Sequence, residues 1–260
     1  MAVAPHRSIK SAERTLALFE LFSREQQPFT VGRVAKGLGI PQPSVSMLLR
    51  NLREMGYLEY DPLTRTFAPS IRVALLGSWI DQRFGAAGAI GARLRALHSQ
   101  VGHNAFIGIQ NGAAAQYVIG LGESAPGRLD VTSGGYRSLT FSAVGRALLS
   151  LLPDNEVMSW ARRCNAEAES DRWRVNANDF LALIRDVRAK GYAMTCGDVT
   201  PGMAAIATTF TSPLSRSPLA IGVGGPIAKI HADEASIVEA LRAFSTETQA
   251  ALDPPLHRAA

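Results

Sequence analysis

The side chains of this chain best placed for recognition chemistry sit together on one helix face. In the segment beginning at Gln42, the residues Gln42, Ser44, Ser46, Met47 and, one turn on, Arg50 are turned outward. Val45, Leu48, Leu49, Leu52 and Met55 recur behind them at three- to four-residue spacing, a stripe that predicts burial. An amide, two hydroxyls and a guanidinium can read base edges and neutralise phosphates. None of them makes or breaks a bond.

Groups capable of covalent work lie further along. His103 and Asp198, with Cys196 or Ser142 as nucleophile, are the candidates for a catalytic set. The motifs that would organise them are missing: there is no GxSxG elbow, no GxxxxGK[ST] loop and no HExxH. Gly222-Val223-Gly224-Gly225-Pro226 fails the dinucleotide fingerprint. The 2 cysteines, Cys164 and Cys196, show no CxxC or paired-histidine spacing. Neither a zinc site nor a disulfide framework is expected, and a reducing cytoplasm fits.

The elements that must position the recognition face can be read outward from it. Thr30 is a suitable N-cap for a helix carrying Val31, Val34, Ala35 and Leu38, which Gly37, Gly39 and Pro41 end in a tight turn. Pro43 is tolerated in the first turn of the next helix, where backbone amides have no intrahelical acceptor. Gly56 ends that helix. Tyr57 to Tyr60 and Thr66 to Ala68 then read as two strands around the turn Asp61-Pro62-Leu63-Thr64-Arg65. An upstream helix with Ile9, Ala12, Leu16, Phe19 and Phe22 inward would close a small core. Three helices followed by a hairpin predict a winged helix-turn-helix, with Thr30 and residues 42–50 near DNA, Arg65 at the wing tip and a basic arm at His6, Arg7 and Lys10. Residues 1–75 carry 10 Lys/Arg against 6 Asp/Glu, and residues 76–260 carry 17 against 16, so nearly all of the +5 net charge lies in the first third. Basic charge supplies the sequence-independent part of DNA affinity.

At 260 residues and 47% apolar, the chain has material for a small and a medium domain. The start MAVAPHRSIK lacks an apolar signal core, and no stretch approaches the roughly 18 apolar residues of a membrane helix, so a soluble protein is expected. Beyond the wing, residues 70–101 read as an interrupted helix, broken at Gly85 to Gly91; Trp79 and Phe84 suit pairing with a second copy. The second domain reads as α+β with a largely antiparallel sheet. A hairpin of His103 to Gln110 and Ala115 to Leu121 turns at Asn111-Gly112, and a short strand is expected at Leu129 to Thr132. Helices are expected at 148–152, 156–163 and 179–190, strands at 192–195, 204–210 and 219–223, and a last helix at 233–251.

The segments SIKSAERTLALFELF, LTFSAVGRALLSLLP, GYAMTCGDVTPGMAAIAT and LAIGVGGPIAKI resemble, in order and spacing, the IclR family of bacterial transcription regulators, over nearly the whole length. The resemblance implies a winged helix-turn-helix domain over 8–70, a linker helix over 71–87 and a GAF-like α/β domain over 88–251 that binds a small effector and assembles dimers or dimers of dimers. It implies double-stranded operator DNA and a small organic molecule as partners, and neither cofactor, metal nor catalytic residue. By similarity the effector site falls on Leu129, Arg137, Ala143, Val144, Thr195, Met203, Ala205, Gly222 and Gly224, with the amides of Ser142 to Gly145 and the side chain of Arg146 available to an anion. Where some relatives that take small carboxylates have an acid, a cysteine and two serines, this chain has Thr195, Ala205, Gly222 and Gly224. The loss of polar anchors points to an aromatic or other largely apolar acid, its ring in the space left at Gly222 and Gly224. A second domain used only for assembly, or one that is an enzyme, stands as the alternative.

Overall fold

The computed structural model describes residues 9–84, 88–122, 129–212 and 215–252. The chain divides into two compact units, Met1–Ile80 and Asp81–Ala260.

In the first unit α1 (Lys10–Glu25), α2 (Val31–Leu38) and α3 (Gln42–Glu54) are followed by β1 (Leu58–Asp61) and β2 (Thr66–Pro69). The core is Leu18, Leu21 and Phe22 of α1, Val34 and Ala35 of α2, Val45, Leu49 and Leu52 of α3, and Phe29, Leu58 and Phe67. Each buried leucine contributes about 2 kcal/mol. Four positions expected from spacing to face inward, Ile9, Ala12, Leu16 and Met55, are exposed. Ile9 and Leu16 are 70% and 64% exposed, because α1 turns its Leu18–Leu21–Phe22 stripe to the core and leaves the other apolar stripe outside. Met55 is exposed because it follows the last turn of α3 as its C-cap. Phe29 exchanges backbone hydrogen bonds with Phe67 at 2.9 and 2.8 Å, adding a bridge to the antiparallel β1–β2 ladder. α4 (Ile71–Phe84) begins after the wing and runs past Ile80.

The second unit contains α5 (Ala89–Val101), β3 (Asn104–Asn111), β4 (Ala114–Leu121), β5 (Tyr136–Ser138), α6 (Ala143–Leu149), α7 (Asp154–Glu167), a 3-10 turn (Asp171–Trp173), α8 (Ala177–Lys190), β6 (Ala193–Cys196), β7 (Met203–Ser212), β8 (Ser215–Pro226), α9 (Ile227–Ala232) and α10 (Glu234–Leu252). The six strands form one antiparallel sheet in the order β5-β4-β3-β8-β7-β6. Strand alternation gives its faces different side-chain sizes. Ile107, Ile206, Leu219, Ile221 and Val223 meet α5 and α10 through Ile90, Leu94, Ile237, Leu241 and Phe244. The opposite face is built of Gly108, Ala205, Ala207, Ala220, Gly222 and Gly224, broken by Phe106 and Tyr117. Small residues let α6 come close: a Cβ at Gly108 would lie 2.7 Å from Val144 Cγ1, and one at Gly145 would lie 2.1 Å from the Leu139 carbonyl oxygen.

Leu129 to Thr132 is not a strand, and β5 is Tyr136–Ser138. Asp130 accepts from the Thr132 amide at 3.0 Å, a local turn that competes with pairing, and the Val131 carbonyl crosses the face of β4 over Gly120. α6 starts at Ala143, before the expected 148, because Ser142 caps it. α9 was not expected; its six residues follow Pro226. Among the described residues no helix is long and apolar enough to cross a membrane.

Candidate nucleic-acid interface and ligand cavity

The front of α3 is held from behind. Val45 and Leu49 are fully buried, which fixes the rotation of the helix and leaves Gln42, Pro43 and Arg50 exposed, Met47 70% exposed, and Ser44 and Ser46 half-buried. Pro43 occupies the first turn of α3, and Thr30 Oγ1 accepts from Arg33 N at 3.4 Å as the cap of α2. Lys10 is exposed at the first position of α1; Arg7 lies outside the described residues.

The wing turn is ordered by one carboxylate. Asp61 accepts from Leu63 N at 2.8 Å and from the Thr64 hydroxyl at 2.7 Å, and those bonds hold its pKa below the usual carboxylate value. Arg65 closes the turn with φ 55°, in the left-handed region, and is exposed. Sequence reasoning missed Arg53, whose guanidinium lies 5.6 Å from the centre of the Tyr60 ring and links α3 to the wing. Its place three residues after Arg50 was the available signal.

In the second unit Leu129, Arg137, Ala143, Thr195, Met203 and Ala205 come together around a cavity of about 20 Å³, room for one water molecule. Phe106, Tyr117, Ser142, Val199, Thr200 and Ala204 complete its wall. Of these only Ser142, through its amide, was expected near a ligand; the alternation of β3 and β4 put Phe106 and Tyr117 on the small-residue face. Val144 and Gly222 do not line the cavity. Val144 is fully buried against Gly108, and the space above Gly222 is filled by Phe106, whose ring atom Cε2 would stand 2.4 Å from an added Cβ. Gly224 is covered in the same way by Leu129 Cδ2, also at 2.4 Å, and borders a separate pocket on the side of His103 and Lys229. The free volume expected at the two glycines is therefore occupied by the chain's own side chains.

Arg137 and Arg146 divide the electrostatic work. Arg146 is buried, donating from Nε to Thr140 O at 2.9 Å and from Nη2 to Asp198 Oδ1 at 2.9 Å, while Asp198 Oδ2 accepts from Cys196 N at 2.8 Å. It is committed to the β6–β7 connection, not offered to an anion. The Gly145 amide is likewise taken by Ser142 Oγ at 3.1 Å. Arg137 does face the cavity. Its Nη1 donates to Tyr136 O at 2.7 Å, its Nη2 donates to Asp130 O and Asp130 Oδ2, the latter at 3.0 Å, and the guanidinium lies 5.0 Å from the Tyr117 ring centre. The Thr132 hydroxyl first, and Arg137 with it, bring Asp130 down to a pKa of about 2, while burial pushes the Tyr117 hydroxyl up to about 12. At neutral pH the cavity mouth thus holds one guanidinium, one carboxylate and a neutral phenol. Beyond Arg137, Val199 and Thr200 opens a cleft of about 790 Å³ that includes Trp173, Tyr136, Arg163 and Glu167.

The groups that an enzyme would need are dispersed. His103 Nε2 meets Asp233 at 2.8 Å, Ser142 caps α6, and Asp198 pairs with Arg146. Cys196 Sγ lies 3.5 Å from His231 Nε2, but burial and the nearby Asp198 raise its thiol pKa, the opposite of an activated nucleophile.

Comparison with known proteins fits this division of labour. Residues 11–62 match the IclR helix-turn-helix domain and residues 84–250 match the bacterial transcriptional regulator IclR C-terminal domain. The HTH-type transcriptional regulator BhcR of Paracoccus denitrificans is 26% identical over 245 residues, 91% of this chain and 86% of the relative. An IclR-type transcriptional regulator from Alicyclobacillus acidocaldarius superposes with a TM-score of 0.79 at 21% identity, over 94% of this chain and 98% of the other. An IclR homologue of Microbacterium hydrocarbonoxydans, crystallised with 4-hydroxybenzoate, superposes with a TM-score of 0.72 at 13% identity, over 93% and 98%. A recognition helix braced by its own core, a wing ordered at its turn, and matches to both family domains over most of the length identify one kind of protein: the chain belongs to the IclR family of bacterial transcription regulators and is a DNA-binding regulator.

Proposed function

We propose that this regulator binds operator DNA through the front of α3 and the wing, and that a small aromatic acid in the second unit controls that affinity. The observation that carries the DNA half is the polar front of α3 over a fully packed back. In this reading Gln42, Ser44, Ser46 and Met47 meet base edges, while Arg50, Arg65, Lys10 and Arg7 meet phosphates. Pro43 and Thr30 set the approach of α3 and α2. The domains run 8–70 and 88–251, with 71–87 as a linker that transmits the ligand signal by linkage. The protein works in the cytoplasm, where its operator is.

The ligand half rests on a mixed wall: Phe106, Leu129, Ala143, Met203 and Ala205 are apolar, Thr195 is turned to the Ala205 carbonyl at 3.5 Å, and Arg137 supplies the charge. Val144, packed on Gly108, and Gly222 and Gly224, covered by Phe106 and Leu129, lie outside that lining. The Microbacterium homologue's 4-hydroxybenzoate has the chemistry such a site suits. Tight calorimetric binding of a two- or three-carbon acid, with no binding of aromatic acids, would reject this ligand class.

We further propose a homodimer, with pairs of dimers as a higher assembly. Ile71, Leu75, Leu76 and Ile80 leave α4 with an exposed apolar stripe, and Ile9 and Leu16 do the same for α1. Leu75→Glu with Leu76→Glu should halve the mass seen by sedimentation. A mass equal to wild type would remove α4 from the interface.

For the DNA half the measurement is a gel-shift titration at several salt concentrations on the fragment upstream of the protein's own coding region. Arg50→Ala should weaken binding about tenfold and reduce the salt slope by about 1 per protomer. An unchanged affinity and slope would show that Arg50 does not touch the backbone.

A further inference from the structure

The cavity at Arg137 has room for a water, not a ring, and what keeps it small is the seating of Leu129, held by the Asp130–Arg137 ion pair beside it and by the Asn104 side-chain amide on its carbonyl at 3.2 Å. Leu129 sits on Gly224. Its neighbour Asp130 is fastened by Arg137 Nη2 on its backbone oxygen and on Oδ2, and by the Thr132 amide and hydroxyl on Oδ1 at 3.0 and 2.6 Å. Arg137 itself, 14% exposed against 54% for Asp130, stands at the neck between the small cavity and the outer cleft and lines both.

We propose that a carboxylate ligand opens this site by exchange: its carboxylate takes the place of Asp130 on Arg137, and the released Asp130 lets Leu129 move off Gly224, adding the covered volume to the cavity. The proposal rests on the ring-acid reading above and says how such a ligand gains entry. Charge balance favours it. The guanidinium is paired before and after, so no buried charge is stranded, and the displaced carboxylate is already half in water. Arg137 keeps its bond to the Tyr136 carbonyl and its place over Tyr117 throughout. Two requirements then select the ligand. A neutral ring cannot displace Asp130, and a very short acid displaces it without filling the apolar space that Leu129 leaves. The site responds to one molecule that has both parts.

The test is calorimetric titration of the full-length protein with 4-hydroxybenzoate, and with 4-hydroxybenzamide as its neutral twin, on wild type, Asp130→Asn, Asp130→Glu and Arg137→Gln. Hydrogen exchange of residues 129–133 is followed without ligand, and thermal melting verifies the fold of each variant. Removing the competing carboxylate should tighten acid binding by Asp130→Asn about tenfold, since less affinity is lost to the closed arrangement. Asp130→Glu, which keeps a carboxylate, should stay within about twofold of wild type. Arg137→Gln should weaken acid binding by about a hundredfold, the loss of a partly buried charge-assisted pair. Amide binding should be weak in wild type and, for want of a charge to pair with Arg137, weaker than acid binding in every variant that keeps Arg137. Exchange at 129–133 should be faster in Asp130→Asn than in wild type. If wild type binds the acid and Asp130→Asn changes neither its affinity nor the exchange rate, the exchange mechanism is wrong and the ring-acid reading survives. If no variant binds the acid, both are wrong.

Discussion

Gly120→Ala is expected to cost the second unit more than about 3 kcal/mol of stability, or to prevent its folding, although it adds one methyl group. A Cβ at that position would lie 1.6 Å from the Val131 carbonyl oxygen and 2.7 Å from its carbon. Those are backbone atoms, so no rotamer change relieves the overlap. β4 is held by β3 on one side and β5 on the other, so the strand cannot retreat. The relief must come from lifting the 129–132 segment off the sheet, which breaks the Asn104–Leu129 hydrogen bond of 3.2 Å and uncovers the cavity wall. Urea denaturation followed by circular dichroism measures the loss. Gly77→Ala in α4, where no atom lies within 4 Å of the new Cβ, is the control and should be neutral or stabilising by up to about 1 kcal/mol. Equal midpoints for Gly120→Ala and wild type would mean that the crossing segment is not seated as described.

Arg146→Ala should be nearly as damaging, at about 3 kcal/mol. The guanidinium is 8% exposed and serves two acceptors, the carbonyl of fully buried Thr140 and the carboxylate of Asp198. Its removal leaves a buried carbonyl without that donor and a carboxylate without its counter-charge. Asp198 is 28% exposed, so water relieves part of its cost, which keeps the figure at the low end of the range for a broken buried pair. The double variant Arg146→Ala, Asp198→Ala should recover about 1 kcal/mol or more relative to the sum of the single losses. Strict additivity of the two in chemical denaturation would show that they act independently.

The legible part of the fold was the part written in local patterns. The helix-turn-helix could be read because Thr30, Gly39, Pro43 and Gly56 each stand where backbone chemistry requires them, and the wing because Asp61 and Arg65 bound a turn between two short apolar runs. The face of α1 was misread because the helix carries two apolar stripes, and only packing against α2 and α3 decides between them. The strand expected at Leu129 failed for a related reason: Leu129 and Val131 are as apolar as strand residues, but their partners lie across the sheet face, at a distance that no period reports. At the small cavity the family resemblance named Leu129, Arg137 and Met203, which line it. It could not indicate that Phe106 and Leu129 occupy the room over Gly222 and Gly224, because the residues filling a gap are remote in sequence from the glycines that leave it.

The unequal faces of the six-stranded sheet bear on how such a protein changes over evolutionary time. On one side, interlocked Ile, Leu, Val and Phe side chains leave little tolerance for a change of volume. On the other, each position from Gly108 through Ala205 to Gly224 differs from its nearest alternative by a single methyl group, and each sits beside the chamber or beside a side chain that walls it. Mutational drift can therefore resculpt the chemical preference of the sensor on the second face while the first keeps the architecture intact, so that one scaffold can come to answer to different metabolites without being rebuilt.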